Sequence, residues 1–195
     1  MRYWKDSLIY LKETDPIFKK YASNKILLKK NNNYFDVLFK SICSQQVSTS
    51  AAKSIYQKSK KIFNELTVKK ILANLKLIDS LPITQNKKKS IYSLVFYLND
   101  NKNLKWNKLS DKDIYSHLIN IFGIGPWTIE MFLIFYKGSQ NIIPIKDLGF
   151  LNSYKKFYKD ENLTKLNHYK LKWSPYGTVI TMNLWNSYDL NTVNY

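Results

Sequence analysis

Apolar residues recur at intervals of three and four positions along most of the chain, which is the spacing of one face of an α-helix. The stretch from Tyr34 to Ser44 shows this pattern through Phe35, Leu38 and Ile42. Strand-like alternation of useful length and repeats of fixed period are both absent from the sequence. The pattern predicts an all-α protein with helix starts at Asp15-Pro16, Tyr34, after Ser48, at Thr67, near Lys87, at Ser110, at Trp127, after Asp147 and at Ser174-Pro175.

Residues that cap helices stand at several of these starts. Asp15 is predicted to cap a helix with Pro16 in its first turn, and Ser110 begins a capping-box arrangement. Near the end of the chain, Ser174 is predicted to cap the last helix with Pro175 at its first position. These signals divide the apolar pattern into separate helices.

One tight turn interrupts the pattern in the second half of the chain. The sequence Phe122-Gly123-Ile124-Gly125-Pro126 joins an apolar helix ending near Leu118 to a second one that opens at Trp127. Glycines at alternate positions let backbone amides approach a phosphate with no Cβ in the way, and the following helix directs its positive end to the same point. We therefore predict a phosphate-binding turn; a tight helix connection without a ligand is the alternative.

The charge of the chain agrees with a polyanionic partner. There are 31 Lys and Arg against 14 Asp and Glu, which gives a net charge of +17. A positive field of this size favours nucleic acid, above all beside a candidate phosphate-binding turn. The alternative is a basic surface with no such partner, since Lys, Asn, Ile and Tyr are residues that an A+T-rich genome would favour.

Cysteine usage and hydropathy exclude several classes of protein. Cys43 is the only cysteine, which excludes an internal disulfide, a Cys-based zinc site and an iron-sulfur cluster. We expect it to be a buried apolar side chain; a reactive thiol is the alternative. No apolar stretch has the length of a signal peptide or a membrane span. We therefore expect an intracellular protein of the cytoplasm or nucleoid, or of the nucleus in a eukaryote, with no membrane partner.

Asp147 is the candidate catalytic residue. It stands at the exit of the long irregular connection after Tyr136 and directly before an apolar helix from Leu148 to Phe157. Capping of that helix is one role for such a residue. The helix dipole and backbone donors at a helix start also favour a charged carboxylate, which a reaction passing through a cation requires. The two roles are compatible.

These segments resemble the helix-hairpin-helix DNA glycosylases. Residues 118–150 are similar to the hairpin and catalytic loop of that superfamily, and residues 35–53 to its wedge-bearing helix and the helix that follows. Lys87-Lys88-Lys89-Ser90 matches a basic helix start, and residues 173–185 match the final helix. Within the superfamily the chain resembles the compact 3-methyladenine DNA glycosylase II group.

The resemblance implies roles for individual residues. Asp147 matches the essential aspartate, which stabilises the sugar cation or orients water. Trp127 and Tyr176 match aromatic positions of the base pocket, and Met131 stands where some relatives place a pocket tyrosine. Gln46 matches the side chain inserted into the gap left in the duplex. The remaining implied DNA contacts come from the hairpin residues Gly123, Ile124, Gly125 and Thr128.

The resemblance also implies a cation site and excludes one activity. Main-chain carbonyls of Ile119, Ile121 and Ile124 match those that bind a structural Na⁺ or K⁺, and no other cofactor is implied. Trp127 occupies the position where relatives with lyase activity carry their Schiff-base lysine. We therefore expect no strand cleavage by a lysine at that position.

The implied fold is two-lobed and all-α, with the damaged base held in a cleft. One lobe would be a bundle over 34–137 that ends in the hairpin, and the other would combine 1–33 with 138–195 and carry Asp147. The implied function is removal of alkylated purines from double-stranded DNA by a monomer, leaving an abasic site. Departures at Lys146, Met131 and Gly177 touch the pocket and its rim and leave the lesion open. A deaminated purine as substrate, and a hairpin module that binds DNA without chemistry, are the alternatives.

Overall fold

The computed structural model describes residues 2–23 and 26–188, and every regular element in these ranges is helical, which confirms the all-α prediction. Two 3₁₀ turns (Leu75–Ser80 and Trp106–Lys108) and one π-helical turn (Leu133–Lys137) accompany the α-helices. None of the helices in these ranges combines the length and hydrophobicity needed to cross a bilayer. The α-helices in chain order are α1 (Arg2–Thr14), α2 (Pro16–Tyr21), α3 (Tyr34–Ser44), α4 (Thr49–Phe63), α5 (Val68–Leu72), α6 (Gln85–Asp100), α7 (Asp111–Leu118), α8 (Pro126–Phe132), α9 (Leu148–Tyr158), α10 (Leu166–Trp173) and α11 (Gly177–Tyr188).

The chain divides into two compact units. The aspartate unit comprises Met1–Lys29 with Gly138–Asn194, and the hairpin unit comprises Lys30–Lys137. The hairpin unit includes the residues just before α3 because Asn31 is bonded into it. Its N–H donates to the Phe135 carbonyl (2.8 Å) and its side-chain amide donates to Asp36 Oδ2 (2.7 Å). The sequence pattern placed this boundary at Tyr34 instead.

A buried acid organises the core of the aspartate unit. Asp15 caps α2, as predicted, with its Oδ1 accepting the amides of Ile17 (2.9 Å) and Phe18 (3.1 Å). Its Oδ2 accepts the Tyr158 hydroxyl (2.7 Å) and the Trp173 indole N–H (2.8 Å). A buried polar group requires hydrogen-bond partners of this kind. The one carboxylate therefore joins α2 to α9 and α10.

The hairpin unit is built around α3, which packs against α4, α6 and α8. Its inward side chains Val37, Leu38, Phe39 and Ile42 have no exposed surface. The predicted caps at Thr67 and Ser110 are confirmed. Each capping side chain accepts a backbone N–H from three residues further on, and the caps are Asn33, Ser48, Thr67, Thr84 and Ser110.

The last helix begins later than the sequence predicts. Ser174 ends α10, with its N–H bonded to the Lys170 carbonyl (3.2 Å), and α11 begins only at Gly177. The Gly177 N–H donates to Asn141 Oδ1 at 3.1 Å, across 36 positions of sequence. The prediction that Ser174 caps this helix with Pro175 at its first position is wrong, because a distant asparagine supplies the cap.

Candidate functional site

Asp147 lies half-buried at the start of α9. Its Oδ1 accepts the N–H of Phe150 at 2.8 Å and the indole N–H of Trp185 at 2.7 Å. The predicted cap is confirmed, and Trp185 of α11 adds a donor that the sequence did not indicate. Two N–H groups on one oxygen orient the carboxylate.

Gly149 provides the space for this contact. A Cβ at Gly149 would lie 3.2 Å from Asp147 Oδ1 and 3.4 Å from Trp185 Cδ1, closer than most Cβ contacts. Trp185 is only 8% exposed, so its indole has little room to move aside. Asp147, Gly149 and Trp185 therefore form one tightly packed group, which we call the carboxylate cluster.

The loop that leads into Asp147, residues 138–147, is fastened to the start of α11. Thr178 Oγ1 donates to the Ser139 carbonyl (2.6 Å) and accepts the Ile142 amide (3.1 Å). The Thr178 amide donates to the Gln140 carbonyl at 2.9 Å. Hydrogen bonds to α11 therefore hold the loop that carries Asp147 in place.

The departure at Gly177 has a packing reason. A Cβ there would lie 2.6 Å from Ile143 Cγ1 and 2.8 Å from Asn141 Oδ1. The 138–147 loop therefore fills the space that a longer side chain at Gly177 would need. Lys146, the other departure in this loop, is exposed.

The two hairpin glycines have different surroundings. Gly123 has a φ of +76°, in the left-handed region, and a Cβ there would overlap Ser90 Oγ and lie 2.7 Å from Ser90 Cβ. Gly125 has an extended backbone, and a Cβ there would meet no atom within 4 Å beyond its chain neighbours. Gly123 is thus required by packing against α6, whereas Gly125 leaves the backbone before α8 open to a ligand.

Two groups that were predicted to contact DNA form hydrogen bonds within the protein instead. The Ile124 amide donates to the Ile121 carbonyl at 3.0 Å. Thr128 is 1% exposed, and its Oγ1 accepts an N–H from Gln45 at 2.9 Å. The geometry therefore does not support a direct DNA contact by this amide or this hydroxyl, because the amide closes the hairpin turn and the hydroxyl is bonded to Gln45.

The Ile121 carbonyl is also one of the three predicted cation ligands. A carbonyl oxygen has two lone pairs, so the bond from Ile124 leaves one lone pair for a cation. The cation site formed with the carbonyls of Ile119 and Ile124 stays a prediction.

The turn between α3 and α4 carries the predicted wedge. Gln46 is exposed and has a φ of +55°. Its neighbour Gln45 donates from Nε2 to the Gly123 carbonyl and to Thr128 Oγ1, each at 2.9 Å. These contacts span 78 and 83 positions of sequence and tie the turn to the hairpin.

The predicted pocket residues are distributed over both units. In the hairpin unit, Trp127 is half-buried in the first turn of α8, and Met131 is 2% exposed one turn later. In the aspartate unit, Tyr176 is half-buried with its ring edge-on to Tyr10, the centroids 5.4 Å apart. Trp127 and Tyr176 are each partly exposed, whereas Met131 is a core residue of the hairpin unit. That they surround one base stays a prediction.

Two lysines of the basic run before α6 serve the fold. Lys87 Nζ donates to the Cys43 carbonyl at 2.8 Å, and Lys88 Nζ donates to the Asp79 carbonyl. Lys89 is exposed. Further positive charge in the hairpin unit comes from exposed lysines of α4, which are Lys53, Lys58, Lys60 and Lys61.

Known proteins resemble this chain in sequence. No family model matches it. DNA-3-methyladenine glycosylase 1 of Schizosaccharomyces pombe is 28% identical over 183 residues, covering 87% of this chain and 78% of that protein. The DNA-3-methyladenine glycosylase of Saccharomyces cerevisiae is 26% identical, covering 82% and 68%. The Bacillus subtilis protein YfjP is 34% identical over 84 residues, which are 42% of this chain and only 29% of that protein.

Solved structures share the fold. The 3-methyladenine DNA glycosylase of S. pombe, in complex with abasic DNA, has a TM-score of 0.79 at 22% identity, covering 97% of this chain and 100% of that one. The chain has the fold of this DNA glycosylase. The DNA-3-methyladenine glycosidase of Bacillus halodurans gives a TM-score of 0.74 at 22% identity, covering 95% and 90%. The hairpin of this chain consists of α7, the turn 119–125 and α8.

Cys43 is a packed side chain of the hairpin unit. It has no exposed surface, and burial raises the pKa of its thiol to about 12. The expectation of a buried apolar role is confirmed, because a protonated thiol is a poor nucleophile. Among residues 2–23 and 26–188, no three His, Cys, Asp or Glu side chains are grouped as metal ligands.

Proposed function

We propose that this protein is a DNA glycosylase that removes alkylated purines from duplex DNA. The observation that carries the proposal is Asp147, fixed by Phe150 and Trp185 in the loop where this superfamily has its essential acid. The names of the two yeast relatives, both 3-methyladenine glycosylases, support the substrate class. Incubation with methylated duplex tests it, since alkali then cleaves the strand at each abasic site formed.

The chemistry suits a site with one carboxylate. An N-methylated purine such as 3-methyladenine or 7-methylguanine carries a positive charge, so its glycosidic bond breaks with the electron pair going to the base. The leaving base needs no strong acid. The Asp147 carboxylate stabilises the positive charge that develops on the deoxyribose, a preorganised electrostatic effect. Water then adds to the anomeric carbon, loses a proton and leaves an abasic site.

Aromatic rings supply the recognition. The resemblance assigns recognition to Trp127 and Tyr176, and an electron-rich ring face contributes about 0.5 to 2 kcal/mol to binding a desolvated cationic base. Met131 lies one turn further along α8 and is buried in the hairpin unit. Since the base must leave the duplex, a methylated purine that is already weakly held is flipped at the lowest cost.

The hairpin unit binds the DNA backbone. Phosphate approaches the open backbone at Gly125 and the start of α8, beside the tightly packed Gly123. Gln46 fills the gap left by the flipped base, and a cation on the carbonyls of Ile119, Ile121 and Ile124 would add positive charge beside the phosphate. Exposed lysines of α4 add contacts without sequence preference. We expect the protein to act as a monomer.

We further propose that the enzyme is monofunctional. Trp127 stands where a Schiff-base lysine would be needed for lyase chemistry, and an indole cannot form that bond. Borohydride should therefore trap no covalent complex with abasic DNA. A trapped adduct would show that another lysine acts as a lyase nucleophile.

Two alternatives are separated by substrate. Release of hypoxanthine from a duplex in preference to methylated purines would assign the enzyme to deaminated bases. Binding of duplex DNA with no base release from any lesion would identify a DNA-binding module. The loop 138–147 that fills the space at Gly177 favours neither lesion by itself.

Replacing Trp185 by Phe should lower the single-turnover rate of base release about tenfold. The change removes the N–H that holds Asp147 Oδ1 and keeps the packed ring, and a bond to a charged group contributes roughly 1.5 to 3 kcal/mol. Trp4→Phe is the control, because it removes an indole bond of 2.8 Å to the Ile26 carbonyl in the same unit. An equal loss of rate in both variants would mean that Trp185 acts only through stability.

A further inference from the structure

Gln45 makes contacts that the proposed chemistry does not use. It is half-buried at the end of α3, and its Nε2 donates to the Gly123 carbonyl and to Thr128 Oγ1, each at 2.9 Å. A carboxamide nitrogen has two N–H groups. Both N–H groups therefore bond to the hairpin, to acceptors that lie 78 and 83 positions away in sequence.

Both acceptors are held rigidly. Thr128 is 1% exposed, and Gly123 is fixed against Ser90 by its backbone conformation and by the absence of space for a Cβ. On the hairpin side, the amide of Gln45 therefore meets two atoms that cannot shift independently of α6 and α8. The contact constrains Gln45 rather than the hairpin.

The residues after Gln45 are, in contrast, exposed. Gln46 has a φ of +55°, and Val47 is 40% exposed. A left-handed residue other than glycine is conformationally costly and needs support from its surroundings. The double contact of Gln45 provides this support immediately before the turn.

We propose that Gln45 is a positioning residue that fixes the Gln46 wedge at a set distance from the phosphate-binding hairpin. This inference rests on the proposed function, in which the hairpin holds the phosphate and Gln46 enters the gap beside it. If the turn is already ordered, the protein does not lose that freedom on binding. Gln45 thereby raises the affinity for a duplex in which a base is missing or flipped out, although Gln45 itself does not contact the DNA.

Two variants remove the contact with little change in shape. Gln45→Met keeps the length of the side chain and removes both N–H groups. Thr128→Val keeps the branched shape and removes one acceptor, so it carries the test if Gln45→Met does not fold. Thr128→Ser retains the hydroxyl and should behave as the natural protein does.

The measurement is affinity for a duplex with a tetrahydrofuran abasic analogue, compared with the undamaged duplex of the same sequence. We expect Gln45→Met to weaken binding to the abasic duplex about tenfold and to change binding to the undamaged duplex less than twofold. Thr128→Val should lie between. Gln57→Met, a change of an exposed glutamine in α4, is the control and should leave both affinities unaltered.

A double-mutant cycle with Gln46→Ala identifies the route of the effect. If Gln45 acts through the wedge, Gln45→Met should add less than twofold in a chain that already carries Gln46→Ala. Fully additive losses, or equal losses on both duplexes, would overturn the inference. Failure of the natural protein to prefer the abasic duplex would instead count against the proposed function, so the two failures are distinguishable.

Discussion

Asp147→Asn should release alkylated purines roughly 10²- to 10³-fold more slowly than the natural protein while its affinity for DNA changes little. Asparagine keeps an oxygen that can accept the Phe150 and Trp185 N–H groups, so the helix cap and the packing of the carboxylate cluster survive. Only the negative charge facing the developing sugar cation is lost. Single-turnover kinetics on methylated duplex, beside a binding titration, measure the two effects separately.

The control for this variant is Asp6→Asn. Asp6 is exposed on α1, and the change alters the net charge by the same single unit. It should leave both rate and affinity unaltered. An Asp147→Asn protein that is folded and releases base within tenfold of the natural rate would contradict the role assigned to this carboxylate.

Gly123→Ala should lower the free energy of unfolding by about 2 to 5 kcal/mol, since left-handed strain costs about 1 to 2 kcal/mol and overpacking about 1 to 3 kcal/mol. The Cβ would be forced into a φ of +76° and against Ser90. Thermal unfolding should show a midpoint lower by roughly 5 to 15 °C for a chain of this size.

Gly125→Ala is the matched variant. A Cβ there meets open space and the backbone is extended, so stability should change by less than about 0.5 kcal/mol. DNA affinity should fall several-fold because the Cβ stands where a phosphate approaches. Ser90→Gly should recover part of the loss in Gly123→Ala. Equal destabilisation by the two alanines would contradict the separate roles of these glycines.

Local signals in the sequence predicted local structure well. Asp15, Thr67 and Ser110 were identified as caps because the capping side chain and the amide it accepts lie within three residues. Asp147 was identified as a cap for the same reason. The turn at Gly123 and Gly125 was found from glycine spacing and the flanking apolar helices. Such features depend only on residues that are close together in the sequence.

Contacts between distant residues could not be found in this way. Trp185 looks like one more apolar residue of α11, and only the fold brings its N–H to Asp147, 38 positions away. Gln45 likewise looks like a loop residue until α3 and α8 are packed together. The cap at Gly177 comes from Asn141, which is why the local signal at Ser174 misled.

Burial also separated residues that the sequence treated alike. The sequence assigns both Gly123 and Gly125 to phosphate binding. In the structure, Ser90 leaves no room for a Cβ at Gly123, whereas Gly125 lies beside open space. Thr128 was grouped with the DNA contacts, yet its hydroxyl is held by Gln45. Spacing cannot show which side of a turn is covered by another helix.

The most direct test of the account is the identity of the bases that the natural protein frees from methylated duplex DNA. We predict that mass spectrometry of the soluble fraction will detect 3-methyladenine and 7-methylguanine, with abasic sites in the DNA in equal number, and far less of either base from Asp147→Asn. Release of no modified purine by folded protein that binds the same DNA would contradict the account.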